Sequence, residues 1–300
     1  YIPNIIDDTE NGKNEIQTDT EKIAEILCKV NKQKYEEANM SEIITSQEAE
    51  WIGTDGTNEG AKMILEGDLT NTNASTDLQK LYSALRKHNK CTEWAREKLY
   101  INVYDHCRAW KKAREKTASA PSGIHFGCWK ANSEDIELAT VDAIMRSIPM
   151  RTGYSLKRWQ ECVDMQLLKK PGVYKASRTR AIGLLEGDFN MNCKLMGKIA
   201  RDHAELNDTI NDDQYGSRAR RTAPEVLVNG RIIGDIMQVN GTEGALEFND
   251  AKGCFDRMIH QVVSVGMQRL GVPIQPIQSV LSTLKLMTHR ISTSVGVSKA

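Results

Sequence analysis

The 300-residue sequence predicts an α+β chain, with a mainly helical first part followed by a part in which short strands alternate with helices. Three observations carry this. Apolar residues recur at helical spacing behind capping side chains between residues 18 and 116. Two extended runs, 162–168 and 180–185, flank a Lys169-Lys-Pro-Gly172 turn. Residues 245–249 alternate in polarity, and β-branched residues crowd 291–297.

In chain order, residues 1–16 are polar and read as disordered. Thr18 to Thr20 can cap a helix with Ile23, Ile26, Leu27 and Val30 on one face. Residues 51–60 are rich in Gly and Thr and read as loop. Asp77 can cap a helix carrying Leu78, Leu81, Tyr82 and Leu85 in phase, and no breaker interrupts a long polar helix over 92–116. Thr117-Ala-Ser-Ala-Pro-Ser-Gly123 is a sharp break and marks the main boundary. Ser133 can cap a helix that Pro149 and Gly153 end. The two runs around Lys-Pro-Gly predict a β-hairpin with a basic tip. Helices follow over 190–206 and 222–239, the second with Pro224 in its first turn. After the strand at 245–249 come helices over 255–270 and 276–287 and a final strand.

Composition excludes several classes. No apolar run approaches the ~20 residues of a membrane span, so no membrane association is expected. The seven cysteines are odd in number and contain no Cys-x-x-Cys, which suits a reduced intracellular chain, and with no apolar export signal in the sequence a place in the nucleus or cytoplasm is expected. His88, Cys91, His106 and Cys107 match no familiar zinc spacing. The net charge is zero, from 40 basic and 40 acidic residues, yet the charge is segregated. Residues 1–80 hold 7 basic and 17 acidic side chains, 81–201 hold 23 and 12, and 202–300 hold 10 and 11. A basic middle behind an acidic head fits either a polyanion-binding surface or ordinary solvated helix faces. Trp94, Tyr100, Tyr104 and Trp110, interleaved with that basic stretch, either stack bases or face the core.

One stretch has the residue types of a hard-cation site. A strand over 245–249 would deliver Asp250 at its C-terminal end, and Gly253 would turn the chain into a helix carrying Asp256 near its start. Strand-end carboxylates suit Mg²⁺, which takes oxygen ligands in octahedral geometry. Asp256 could equally complement a helix dipole.

In the context of the whole chain, residues 117–300 resemble the reverse transcriptase domain of non-LTR retrotransposons, through five segments in the family's order. Trp110-Lys-Lys-Ala-Arg-Glu-Lys-Thr-Ala-Ser-Ala-Pro-Ser-Gly-Ile-His125 is similar to the family's lead-in. Trp159 with Leu167-Leu-Lys-Lys-Pro-Gly172 resembles the fingers hairpin. Arg180-Ala-Ile-Gly-Leu-Leu-Glu-Gly-Asp-Phe-Asn190, then Lys194, resembles the second fingers strand and its helix. Gln214-Tyr-Gly-Ser-Arg218 is similar to the element before the palm, though Ser217 replaces a commoner aromatic. Asn249-Asp-Ala-Lys-Gly-Cys-Phe-Asp-Arg257 resembles polymerase motif A.

The resemblance implies a right-hand polymerase, with residues 1–116 a helical extension, 117–240 the fingers region and 241–300 the start of the palm. It implies RNA-directed DNA polymerisation on an RNA template with a DNA primer, dNTPs and two Mg²⁺ ions. Asp250 would hold both metals, assisted by the Ala251 carbonyl, and Phe255 would be the steric gate. Arg180, with Lys170 or Lys169, would grip the triphosphate. Gln214, Arg218 and Asp256 would support the template or the palm. Motif B and the Tyr-x-Asp-Asp of motif C have no match in these residues, so the chain is expected to be a piece of a longer polymerase and inactive alone. The rival readings are a non-catalytic nucleic-acid-binding remnant and a domesticated polymerase-like scaffold.

Overall fold

The computed structural model describes every residue except 1, 3, 10–13, 37–43, 70–73, 118–120, 246, 248, 251–253, 255, 256, 294, 295, 299 and 300, and the side chain of Arg96. The fold is α+β. Strands β1 (Ile5–Asp7) and β2 (Glu15–Gln17) precede helices α1 (Thr20–Glu36), α2 (Ser46–Ile52), α3 (Glu59–Glu66), α4 (Thr76–Leu85), α5 (Val103–Lys111), α6 (Phe126–Asn132) and α7 (Ile136–Thr152). Strands β3 (Glu161–Leu168) and β4 (Thr179–Leu184) lead to α8 (Gly187–Leu206), α9 (Ala223–Asn240), α10 (His260–Arg269) and α11 (Ile274–Lys285), then β5 (Thr288–Thr293) and β6 (Gly296–Val297).

The predicted hairpin forms. β3 and β4 pair antiparallel, with Leu167 opposite Arg180 and Leu168 opposite Thr179. β5 joins the other edge of β3 in parallel, placing His289 beside Cys162, and β6 folds back on β5 to give the order β4-β3-β5-β6. One face of the sheet is closed by α1, whose Ile23, Leu27 and Val30 pack with Ile5, Ala176 and Ile291. A second core gathers Ile52, Ile64, Leu78, Tyr82 and Val265, and a third gathers Trp94, Met150, Met196, Ile277 and Leu281.

Several expectations are corrected. Residues 5–7 and 15–17 are not disordered. They form a hairpin because Ile5 is fully buried and the chain beside it finds partners across the sheet: Ile6 N–H donates to the Tyr174 carbonyl at 2.8 Å, and the Asp8 carboxylate accepts from Ser177 N–H and Oγ. The loop expected over 51–60 is helical at both ends, with Thr45 and Glu48 forming a capping box for α2. The long helix over 92–116 is broken by Asn102, whose Oδ1 caps α5 by accepting from Tyr104 N–H at 2.8 Å. Asp135, not Ser133, caps α7 by accepting from Glu137 and Leu138 N–H. Pro149 does not end that helix. It sits in the last turn, where it removes one hydrogen bond, and Gly153 terminates the helix in the left-handed region. Ala245, Glu247 and Asn249 are exposed and lie outside any strand. Alternation supplies two faces, but a strand also needs an edge to pair with.

α5, α7 and α8 meet around a buried guanidinium. Arg146 on α7, 2% exposed, donates through Nε and Nη2 to Asn192 Oδ1 on α8 at 3.0 and 2.6 Å. Its Nη1 lies 2.9 Å from His106 Nδ1 on α5, so that nitrogen must accept and the ring proton sits on Nε2, 3.2 Å from Asp142 Oδ2. Burial, and then Arg146, pulls His106 down from 6.5 to about 4, so the ring is neutral at pH 7. The unfolded chain therefore takes up a proton near pH 6.5 that the folded chain refuses until about pH 4. The stability tied to neutral His106, on the order of 3 kcal/mol, is fully present above the higher value and is lost as pH falls towards the lower. Burial also pushes the Asp142 carboxyl above its ordinary range, which acts in the opposite direction. In His106→Asn an amide oxygen replaces Nδ1 as acceptor for Arg146. Urea midpoints measured between pH 6.5 and 4 should fall more steeply for wild type than for this variant, and equal slopes would contradict the assignment.

Candidate functional site

Three of the five segments singled out by the sequence meet at or beside a cluster of cations and aromatic rings, and among the described residues 214–218 and 249–257 do not. Trp110 of α5 stacks on Trp129 of α6 with centroids 5.5 Å apart and planes 11° from parallel, and Phe126 meets Trp110 edge-on at 5.9 Å. Arg146 lies 5.5 Å over Trp110, and Arg158, in the short 3-10 turn before β3, lies 5.8 Å over Trp129. Each indole of the stack thus has a guanidinium against it. Arg158 continues into α8: its Nη1 donates to Asp188 Oδ1 at 2.9 Å and to Glu186 Oε2 at 3.3 Å, and its Nη2 pairs with Asp188 Oδ2. Glu186 and Asp188 are buried, and Glu186 also accepts from Ser122 N–H at 3.1 Å and Ser122 Oγ at 2.9 Å. Two of the five family-like segments are therefore clasped through Ser122 and Glu186. These acidic roles were not read from the sequence, although Glu186-Gly-Asp188 lies within a quoted segment.

From this clasp the sheet projects its hairpin. The strand alternation places Cys162, Asp164 and Gln166 on the buried face and Val163, Met165 and Leu167 on the other. Arg180, opposite Leu167, shares the open face with Ile182, and both are exposed. Lys169 and Lys170 are exposed at the turn, where Lys169 N–H closes the loop on the Arg178 carbonyl at 3.1 Å. Arg180 and the two lysines are thus brought to one end of the hairpin. Among the described residues no hydrogen bond or ion pair joins them to Asp250, which is exposed and outside any helix or strand. Ala251, Phe255 and Asp256 lie outside the described residues.

Beside the clasp, α5, α8 and the 210–218 loop enclose a cleft of about 980 Å³. Its lining includes Lys98, Arg108, Lys112, Lys194, Lys198, Arg201 and Arg218 against Glu97, Asp105 and Asp202, seven cations to three anions. Of the aromatic residues in the basic stretch, Trp94 and Trp110 are core, so they cannot stack bases. Tyr100 and Tyr104 are exposed, and Arg151 lies 4.2 Å over the Tyr100 ring. Gln214 and Arg218 line the cleft in supporting positions. Arg218 pairs with both Glu205 oxygens, at 2.8 and 2.7 Å, and donates to the Asn211 carbonyl at 2.9 Å. Gln214 Nε2 donates to the Gly216 carbonyl at 3.2 Å.

The expected magnesium set is not assembled by the described residues, in which Asp250 belongs to no cluster of metal-ligating groups. The cluster that does exist is Cys162, Asp164 and His289, and its thiol and imidazole are unsuited to Mg²⁺. No helix among the described residues is long and apolar enough to cross a membrane. No protein-family model matches the chain, and no curated protein sequence matches it.

The Arg218–Glu205 pair pins the 207–222 loop to the end of α8, and it holds Glu205 below and Arg218 above their ordinary ranges. Glu205→Gln removes the charge and one acceptor of that fork. Tryptic cleavage at Arg218, Arg220 or Arg221 should accelerate relative to wild type under native conditions, and an unchanged rate would show that the pair does not hold the loop.

Proposed function

We propose that this chain forms the fingers and the first palm segment of a reverse transcriptase of the non-LTR retrotransposon type. Its longer parent would copy an RNA template from a DNA primer, using dNTPs. The observation that carries this reading is the hairpin. Two of the five family-like segments, separate in sequence, pair as β3 and β4 with Lys169 and Lys170 at the turn and Arg180 one rung below it. A cluster of exposed cations at a hairpin end suits a triphosphate, since guanidinium stays charged and pairs its fork with phosphate oxygens. The clasp between Ser122 and Glu186 supports the same reading, because it ties the lead-in segment to the start of the helix that follows the hairpin. The cleft supports a nucleic-acid partner, with Lys112 and Lys194 on its wall and Tyr100 at its edge.

Asp250 is the metal-binding carboxylate of this reading, with the Ala251 carbonyl beside it and Phe255 excluding a 2′-OH. Two Mg²⁺ ions require further carboxylates that these 300 residues do not contain in a Tyr-x-Asp-Asp match. The role proposed for this chain by itself is therefore to grip template and triphosphate, and polymerisation belongs to the longer parent.

In that parent, Asp250→Ala should abolish primer extension while leaving RNA affinity within about twofold of wild type. Retained extension would remove Asp250 from its role. The 300-residue chain alone should bind an RNA–DNA template–primer with affinity that falls steeply with salt, and should extend no primer. Templated extension by it, or no binding at low salt, would overturn the proposal.

A further inference from the structure

On the face of the sheet covered by α1, Cys162 and Asp164 of β3 stand beside His289 of β5, which is the parallel partner of Cys162. His289 Nδ1 is 3.2 Å from each oxygen of Asp164, and Cys162 Sγ is 3.5 Å from Asp164 Oδ1. All three ligating atoms lie within 4.8 Å of one another. Tetrahedral zinc, with bonds of about 2.0–2.3 Å to nitrogen, oxygen and sulfur, sets its ligands about 3.3–3.6 Å apart. The two edges that involve Asp164 are already close to that spacing, and the third needs to close by at most on the order of 1 Å.

The surroundings favour a cation here. Asp164 is fully buried, and the amide of Asn31 on α1, 3% exposed, donates Nδ2 to its Oδ2 at 3.2 Å. That leaves Asn31 Oδ1 buried without a hydrogen-bond partner among the described residues. Gln166, next along the same strand face and 6% exposed, has neither amide atom paired. Gly183 lies opposite Asp164 across the hairpin, where a Cβ would stand 2.8 Å from Cys162 Sγ and 3.7 Å from Asp164 Oδ1. Its missing side chain keeps the space over both ligands open. His289 is half-exposed and gives an ion a way in, with Tyr35 packed against its ring at 5.1 Å. A thiolate, a carboxylate and a neutral imidazole balance the two charges of Zn²⁺, and the mixed sulfur, nitrogen and oxygen donor set is one zinc accepts.

We propose that Cys162, Asp164 and His289 form a zinc site on the buried face of the sheet, with a water in the fourth position accepted by Asn31 Oδ1. On binding, the Cys162 thiol gives up its proton to solvent, His289 carries its single ring proton on Nε2 so that the Nδ1 lone pair faces the metal, and no electron is transferred. The site would lock β5, the last long strand, onto β3.

The test uses the whole 300-residue chain, freed of metal with a chelator and titrated with Zn²⁺ and with Co²⁺. Expected are about one ion per chain, a rise in melting temperature with Zn²⁺, and a thiolate-to-cobalt charge-transfer band. Changing an outer-shell group typically costs about 10–100-fold in metal affinity, so loss of a ligand should cost at least that in His289→Ala and Cys162→Ala. Gly183→Ala should weaken binding while leaving all ligands in place, and Cys128→Ser, an exposed thiol elsewhere, should bind as wild type does. Circular dichroism of the metal-free proteins keeps the test valid if Cys162→Ala misfolds, because His289→Ala alters a half-exposed side chain. Substoichiometric binding by the wild type, no charge-transfer band, or undiminished binding in a folded His289→Ala would each overturn the proposal.

Discussion

The buried guanidinium of Arg146 holds three helices to one another. It gives Nε and Nη2 to Asn192 of α8, Nη1 to His106 of α5 and its face to Trp110, while its own backbone carbonyl accepts from Asn192 Nδ2. A buried cation is tolerated only when its donors are used, and removing one partner of such a set typically costs on the order of 3–5 kcal/mol. Burial draws Arg146 down to about 10, so it remains charged at neutral pH, and His106 beside it is kept neutral first by its own burial and then by that charge. The Trp110–Trp129 stack then carries the arrangement to Arg158, and Arg158 to Asp188 and Glu186. Helices α5 to α8 and the turn before β3 are thus fixed by one continuous polar and aromatic network, and most of its members lie in or beside the family-like segments.

What this frame positions is basic and exposed. β3 leaves the Arg158 turn directly, and β4 returns to Glu186, so the clasp sets both feet of the hairpin. The cations at its end need no partner inside the protein, which leaves them available to an anionic ligand. The cleft beside α8 is built from the other side of the same helix. The charge segregation of the sequence follows this geometry: the basic middle supplies the hairpin tip and the cleft, whereas much of the acidic head lies in helices that pack on the sheet and on α10.

Much of this was legible. The extended runs around Lys169-Lys-Pro-Gly172 have the β-branched and apolar texture of strands and a turn that cannot continue them, and they pair as expected. Helix α9 forms behind its Thr222–Glu225 capping box, as Pro224 suggested. Its exposure was not legible: Val226, Leu227, Ile232, Ile236 and Val239 lie all round the helix and are exposed, because composition does not state what covers a helix. The helix expected over 92–116 does not run through, because the Asn102 side chain competes for the backbone and caps α5 instead. The first hairpin was missed because its stability lies in contacts with residues near 175, far away in sequence. The zinc cluster was invisible for the same reason, since its histidine stands 125 residues from its aspartate and is aligned only by the parallel pairing of β3 with β5.

On the proposed function, the hairpin end and the basic cleft together form one nucleic-acid surface carried on the Arg146 frame. Photo-crosslinking of the chain to an RNA–DNA template–primer, followed by peptide mapping, tests it most directly. Crosslinks are expected to concentrate in 165–182 and in the cleft-lining parts of 98–112 and 194–218, and to be lost at high salt. Crosslinks spread evenly along the chain, or confined to 1–80, would contradict it.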